Sequence, residues 1–154
     1  RIGTCEIQDT GRPFYGVYYG QAALPHAPER LFYLDNAVIR GLKVYNVETQ
    51  SDIPVYDLGA AAGRDPYEMF LGGARSIIKI TNPNAAQERR LIVFRDSFGS
   101  SIAPLLAAGY SEITLVDIRY ISPLSLGKLI DFTKADDALF LYSASVINNS
   151  ETIK

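Results

Sequence analysis

The sequence predicts a layered α/β domain with a parallel sheet, and two observations carry that prediction. Two short apolar runs, at 91–94 and 113–116, have the composition of strands that are covered on both faces, and a third strand is predicted at 138–142. Two helical patterns, at 97–108 and 122–130, separate these runs. Strand, helix and strand at such short spacing imply right-handed crossovers between parallel neighbours, and therefore a layered sheet.

Length and composition restrict the class of protein. The chain has 154 residues, of which 47% are hydrophobic and 21% are charged, as in an ordinary folded domain. That length predicts a single domain over 1–154. A net charge of −2 and a pI near 5.4 argue against a nucleic-acid binder. No apolar run approaches the ~20 residues that a membrane span needs.

The first part of the chain, 1–82, is rich in turns and strand-like segments. Residues 14–19 are aromatic and β-prone, and residues 38–47 alternate loosely between apolar and polar side chains. Because the first residue is Arg1 and not Met, we expect the chain to be the C-terminal part of a longer protein.

A short helix and a strand are predicted at the end of this part. Asp65 is a good N-cap and Pro66 a good first helical residue. The pair Gly72 and Gly73 then ends the helix, and residues 76–81 have the pattern of a strand. These elements lead into the predicted core of alternating strands and helices.

That core, 88–145, contains the two helical patterns. The first begins at Ser97 and ends at Gly109. Its apolar residues recur at helical spacing and predict a buried stripe of Phe98, Ile102, Leu105 and Leu106. The second opens with Ser122 as N-cap and Pro123 as first residue. Its predicted inner side consists of Leu126, Leu129 and Ile130.

Polar segments follow each predicted parallel strand, at 95–98, 117–120 and 143–149. Ligands of open parallel sheets bind beyond the carboxyl ends of the strands. Ser97 directly follows a strand and opens a helix, so its hydroxyl should project from a tight turn. Backbone N–H groups and the helix dipole favour a developing oxyanion at such a position. Ser97 is therefore the candidate nucleophile.

Structural explanations remain open for these residues. Ser97 can serve only as the N-cap of its helix. Asp117 and Arg119 can form a strand-end cap and an ion pair, and Asn148 with Asn149 can be an ordinary turn. The sequence alone does not choose between these roles and a catalytic one.

Residues that could act as a general base or bind a cofactor are scarce in this sequence. A serine esterase needs a general base, and the single histidine, His26, lies in a proline-flanked loop. With one histidine and one cysteine, Cys5, we expect no zinc site and no internal disulfide. No Gly-Lys-Ser/Thr follows Gly72 and Gly73, so a nucleotide-binding or flavodoxin-like domain fits poorly, and we expect no cofactor.

Four blocks of sequence resemble, in their order and spacing, the C-terminal half of the DHHW family. Members of that family are SGNH-hydrolase-like proteins of the bacterial envelope. The blocks are YEMFLGG at 67–73, ITNP at 80–83, LIVFRDSF at 91–98 and LVDIRY at 115–120. The resemblance extends from about Phe14 to Asn149.

The resemblance implies a three-layer α/β/α fold with a mainly parallel sheet. It also implies that Ser97 is the nucleophile and that its own backbone N–H helps to form the oxyanion hole. We place Gly73, Phe98, Arg119 and Asn148 beside the oxyanion or the substrate.

The sequence departs from the family pattern in two respects. The Asp-x-His-Trp segment that supplies the acid and the base in related acetylation proteins is absent, and the chain contains no Trp. Ala74 also stands where the family often has Asn after the paired glycines. We therefore expect a missing upstream segment to carry the base, unless this copy is inactive.

Two functions follow as expectations. The first is hydrolysis or transfer of an acyl ester, such as O-acetyl on a cell-envelope carbohydrate, by an extracellular or envelope-associated protein. The second is a non-catalytic glycan-binding or scaffolding module, because the chain has ten tyrosines that can stack on sugars. If upstream strands are missing, an exposed sheet edge also permits self-association.

Overall fold

The computed structural model describes residues 3–16, 25 and 27–149, and its centre is a six-stranded mixed sheet. The strands are β1 (Glu6–Phe14), β2 (Glu29–Asp35), β3 (Lys43–Asn46), β4 (Ser51–Ile53), β5 (Ile77–Thr81), β6 (Arg90–Arg95), β7 (Glu112–Val116) and β8 (Asp137–Leu141). The α-helices are α1 (Ala37–Arg40), α2 (Gly99–Leu106), α3 (Pro123–Leu129) and α4 (Ala144–Asn148). Short 3₁₀ helices cover Ala60–Ala62, Pro66–Met69 and Phe132–Lys134.

The large sheet has the strand order β4-β3-β5-β7-β6-β8. Strand β6 lies between β7 and β8 and is parallel to both. The other three pairings, β4 with β3, β3 with β5 and β5 with β7, are antiparallel. The strand-helix-strand-helix-strand segment is therefore confirmed as the parallel part of the sheet.

The expectation of a mainly parallel sheet is wrong for the sheet as a whole. The connection between β5 and β6 is the short segment 82–89, in which no helix forms. Parallel strands need a crossover of a dozen or more residues, usually with a helix, whereas antiparallel strands do not. No α-helix lies between β3 and β5, and strands β3, β4 and β5 join the sheet in antiparallel pairings.

The two faces of the large sheet pack against different helices. On one face, an apolar cluster that includes Ile78, Val93 and Leu115 packs on Ala103 and Ala107 of the α2 region. On the other face, Ile77, Ile92 and Val116 pack on Leu126 and Ile130 at α3. Helices thus lie on both faces of β6 and β7, which explains why these two strands are continuous apolar runs. The edge strand β8 differs, because its residues alternate in burial and Phe140 is 68% exposed.

The buried side of α2 differs from the predicted stripe. Phe98 is 50% exposed and Ile102 39% exposed, whereas Ala103 and Pro104 are buried. Small residues let the helix axis approach the sheet closely, so Ala103 and Ala107 take the fully buried positions. Of the predicted stripe, Leu106 packs against the core cluster while partly buried, whereas Phe98 and Ile102 do not lie on the buried side.

Other sequence predictions are confirmed locally. The Ser122 side chain accepts a hydrogen bond from the Ser125 N–H at the start of α3, with Pro123 in the first turn. The Asp65 side chain accepts one from the Tyr67 N–H, and Pro66–Met69 forms a 3₁₀ helix. On α3, Leu126 is buried as expected, but Leu129 is 51% exposed.

A two-stranded sheet of β1 and β2 stands apart from the large sheet. Its Leu31 packs in a cluster with Ala61, Met69 and Phe70. The predicted aromatic strand at 14–19 corresponds to the end of β1 at Phe14, and residues 17–19 lie outside the described part of the chain. None of the helices that the structure describes is long and apolar enough to cross a membrane.

Candidate active site

The turn between β6 and α2 presents Ser97 to solvent. Ser97 is exposed and lies directly between the buried Asp96 and the first turn of the helix. Its carbonyl accepts a hydrogen bond of 3.1 Å from the Ser100 N–H. Its hydroxyl and its own N–H form no hydrogen bond with any residue in the described ranges. Both groups are therefore available to a ligand.

The alternative role of Ser97 as a helix cap does not match this geometry. Phe98 occupies the N-cap position of α2, and no side chain there makes a capping hydrogen bond. The Phe98 N–H is instead bonded to the carboxylate of Asp96, at 3.0 Å. The N–H group at this end of the helix thus has an acceptor without the Ser97 hydroxyl.

Asp96 is 1% exposed, and its carboxylate stabilises the turn through two hydrogen bonds. Its Oδ1 accepts the hydrogen bond from the Phe98 N–H, and its Oδ2 accepts one of 2.6 Å from the N–H of Ser143. Ser143 is the N-cap of α4, immediately after β8. One buried carboxylate thus connects the turn after β6 with the turn after β8.

A buried group of charges lies next to this turn, at the carboxyl ends of β6 and β7. Asp117, which is 0% exposed, receives two side-chain hydrogen bonds from Arg119, from Nε to Oδ1 at 2.8 Å and from Nη2 to Oδ2 at 2.7 Å. Arg95, also 0% exposed, has its Nη1 3.9 Å from Asp117 Oδ2. The Asp117 carboxylate therefore faces two guanidinium groups, which offsets the cost of burying it.

Burial and pairing both shift pKa values at this edge. Burial lowers the pKa of Arg95, and the nearby Asp117 opposes that shift. The hydrogen bond to Asp117 raises the pKa of Arg119. Burial, together with the charges of Asp117 and Asp96, raises the pKa of Tyr142. The raised pKa values of Arg119 and Tyr142 favour the protonated form of each group, so neither is a ready general base.

The stem of Arg95 also packs closely against the start of α2. A Cβ placed on Gly99 would lie 2.5 Å from Arg95 Cβ and 2.9 Å from Arg95 Cγ. Real Cβ atoms do not approach so closely, so only glycine permits this packing. The helix that follows Ser97 is thereby seated directly on a buried arginine.

The remaining candidate residues occupy different positions relative to Ser97. Arg119 follows β7, the strand next to β6, and shares the same edge of the sheet. Gly73 lies in the loop before β5, with φ +78°, and its N–H is bonded to the Phe70 carbonyl at 3.1 Å. Asn148 is the last residue of α4 and is exposed. The N–H groups of Phe98 and Gly73 are thus already bonded within the protein, whereas that of Ser97 is not.

Sequence reasoning missed the two buried residues that organise this edge, Arg95 and Asp96. A signal for them was present, because Arg and Asp follow an apolar strand without an intervening turn residue. Charged residues are almost never fully buried unless they are paired, so composition alone assigns them to the surface. Their partners Arg75, Asp117 and Ser143 lie just before β5, just after β7 and just after β8, and are distant in sequence.

No histidine lies within residues 3–16, 25 and 27–149, and His26 falls outside the described residues. The same described part holds no group of three acidic, histidine or cysteine side chains able to bind a metal ion. The edge therefore presents a free serine hydroxyl and a free N–H, but the described residues supply no imidazole base.

Comparison with solved structures shows that a DHHW family protein has a similar fold. That protein, from Eubacterium siraeum, matches with a TM-score of 0.71 and 22% identity over 99% of this chain and 53% of its own. The chain matches no protein-family model and no curated protein.

Structures of PatB1 from Bacillus cereus are also similar. PatB1 with a sulfonyl adduct matches with a TM-score of 0.71 and 22% identity, over 96% of this chain and 49% of that one. A second PatB1 structure matches with a TM-score of 0.67 and 21% identity, over 94% of this chain and 50% of that one. The chain spans about half the length of each of these proteins. At this level of identity the likeness concerns the fold.

Proposed function

We propose that the protein is the serine-bearing part of an SGNH-type enzyme of the DHHW family, which hydrolyses or transfers an acyl ester. The observation that carries the proposal is Ser97, an exposed residue at the carboxyl end of a parallel strand, whose hydroxyl and N–H form no hydrogen bond with any described residue. A nucleophile needs a free hydroxyl, and the oxyanion needs a donor within reach of the same carbonyl. One residue supplies both.

The reaction proceeds through an acyl-serine. Ser97 Oγ attacks the ester carbonyl while its proton passes to a general base, and the carbonyl oxygen becomes an oxyanion held by the Ser97 N–H. Collapse of this intermediate breaks the ester C–O bond, and the leaving alcohol takes the proton from the base. Water then attacks the acyl-serine in hydrolysis, or a carbohydrate hydroxyl attacks it in transfer.

The general base comes from outside the described residues in this proposal. The chain spans about half the length of the similar structures, so we expect a histidine from an upstream segment to act as the general base. The three-layer SGNH-type assembly is part of the same proposal.

The neighbouring residues receive roles that follow from their contacts. Arg119, whose side chain is 23% exposed and held by Asp117, faces the edge as a fixed cation for an oxygen-rich substrate. Phe98 offers a half-exposed ring beside the nucleophile. Gly73 and Asn148 remain proposed substrate-side residues, and the Gly73 N–H is not a free oxyanion donor.

A sulfonyl adduct on the similar PatB1 structure supports the chemistry, because a sulfonyl group becomes attached only to a nucleophile on the protein. By analogy we propose an acyl ester on cell-envelope carbohydrate as the substrate and an extracellular or envelope location for the complete protein. Self-association of the chain is also proposed and is open to direct measurement.

The test is an ester assay of the complete gene product with p-nitrophenyl acetate. Ser97→Ala should abolish turnover and should also abolish labelling by phenylmethylsulfonyl fluoride at the peptide that contains residue 97. Ser101→Ala is the matched control, because the Ser101 hydroxyl bonds Tyr67 Oη at 2.9 Å one helical turn further on. Equal turnover in the unmodified protein and Ser97→Ala would remove Ser97 from the mechanism.

A second candidate function, glycan binding without catalysis, is favoured by one observation. Tyr120 is 54% exposed, and the Arg119 guanidinium lies 5.4 Å from its ring centroid at the same edge as Ser97. An exposed aromatic ring beside a fixed cation is a suitable platform for a sugar. Polysaccharide binding that survives in Ser97→Ala and is lost in Tyr120→Ala, in a protein without esterase activity, would select this function.

A further inference from the structure

The backbone on both sides of Ser97 is held by one side chain. The carboxylate of Asp96 accepts the N–H of Phe98 at 3.0 Å through Oδ1 and the N–H of Ser143 at 2.6 Å through Oδ2. Asp96 is 1% exposed, so water does not compete for these hydrogen bonds. Ser97 lies between Asp96 and Phe98, and its hydroxyl forms no hydrogen bond with any described residue that would orient it.

The main chain of Asp96 is fixed as well. Its N–H donates to the carbonyl of Leu141 at 3.3 Å, and its carbonyl accepts from the N–H of Gly99 at 3.1 Å and from Arg95 Nη1 at 3.3 Å. Through these main-chain bonds and its carboxylate, Asp96 contacts the turn after β6, the end of β8 and the start of α4. A shift of α4 relative to β6 would therefore pass to the backbone of Ser97 through Asp96.

We propose that Asp96 is a positioning residue, which sets the orientation of the Ser97 hydroxyl by tying its turn to the start of α4 through the Ser143 N–H. The inference rests on the proposed function, because it concerns the reactivity of Ser97. Asp96 does not touch the substrate in this scheme. Its effect is on the angle and distance of attack, to which rates of acyl transfer are sensitive.

Two variants disrupt the hydrogen bond between the Asp96 carboxylate and the Ser143 N–H, one at the acceptor and one at the donor. In Asp96→Asn the amide has one acceptor oxygen, so it keeps one of the two hydrogen bonds and turns an NH₂ group towards the other N–H donor. In Ser143→Pro the N–H itself is removed, and the native φ of −68° at Ser143 already suits proline. Ser143→Ala, which loses only the hydroxyl that caps α4 at Val146, is the baseline for Ser143→Pro.

The experiment measures two rates in the complete gene product, the rate of Ser97 labelling by phenylmethylsulfonyl fluoride and kcat for p-nitrophenyl acetate. We expect Asp96→Asn to lower both rates about tenfold to a hundredfold with KM changed less than about twofold. Ser143→Pro should lower them similarly relative to Ser143→Ala. Asp131→Asn is the matched control, because Asp131 also accepts the N–H of the second residue after it, at 3.1 Å, but lies at the start of a different helix.

A purely structural role would give a different result. Asp96→Asn would then melt at a lower temperature but, when folded, label and turn over at the unmodified rate, and that outcome overturns the inference. Failure of the unmodified protein to label at Ser97 would instead refute the proposed function, and the inference with it. The two failures are thus told apart by the unmodified protein alone.

Discussion

Replacing Gly99 with alanine tests whether the close packing of α2 on Arg95 determines the position of the Ser97 turn. The new Cβ would lie 2.5 Å from Arg95 Cβ, 2.9 Å from Cγ and 3.1 Å from Cδ. The first of these contacts is about 1 Å shorter than the usual separation of carbon atoms. Arg95 is 0% exposed and bonded to two carbonyls, so its stem has little room to yield.

The magnitude follows from two opposing effects. Overpacking of this kind costs about 1 to 3 kcal/mol. Alanine in a helix gains up to about 1 kcal/mol over glycine, which offsets part of the cost. Because the 2.5 Å contact is severe, the cost should fall at about 2 to 3 kcal/mol, the upper part of that range. After the offset we expect Gly99→Ala to lower the free energy of unfolding by about 1 to 2 kcal/mol, equivalent to a fall in Tm of about 2 to 8 °C.

The assay is thermal and urea unfolding of the purified protein, with Gly127→Ala as the matched control. Gly127 lies in α3, and a Cβ there meets nothing within 4 Å. The same substitution at Gly127 should raise the stability by up to about 1 kcal/mol. Two alanine variants that change stability by the same amount and in the same direction would refute the steric argument.

Two further predictions concern buried polar groups. Burial, followed by the charge of Asp35, raises the pKa of Tyr56 to about 12. The protonated phenol is therefore favoured on folding, and its contribution, present in full below pH 10, should be lost between pH 10 and 12. Relative to Tyr56→Phe, the protein should lose about 1 to 2 kcal/mol of stability over that window, since the partly exposed ring reduces the effect. A constant difference in urea unfolding across those pH values would contradict this. Asp117→Asn removes the carboxylate that faces Arg95 and Arg119, and we expect it to cost about 3 kcal/mol in urea unfolding at pH 7. The exposed Asp131→Asn is its control, and a loss below about 1 kcal/mol for Asp117→Asn would show that the two arginines do not depend on that charge.

Local signals in the sequence predicted the parallel part of the sheet. The apolar run at 91–94 and the capped helix after Ser122 depend on interactions between residues close in the chain, such as the side chain of Ser122 and the N–H of Ser125. The antiparallel strands β3 to β5 and the hairpin of β1 and β2 were not predicted in these pairings. Pairing between strands depends on contacts between distant segments, which no local pattern encodes.

The inner side of α2 shows the same limit. Helical periodicity identified a helix after Ser97, but the choice between Phe98 with Ile102 and Ala103 with Ala107 as the buried side depends on how close the helix sits to the sheet. That distance is set by Gly99 against Arg95, a contact across the turn. Hydrophobicity alone favours the larger residues, and the tertiary packing selected the smaller ones.

By itself, the sequence determined that a serine follows a buried strand and precedes a helix, because apolar runs and helical spacing are local properties of the chain. Only the tertiary structure decided that the hydroxyl and N–H of Ser97 stay free while the N–H groups of Phe98 and Gly73 are bonded. The reason is physical: the Phe98 N–H finds its acceptor on Asp96, two residues before it, and the same carboxylate is held by the N–H of Ser143, which follows β8. The second of these bonds exists only once β6 and β8 have paired.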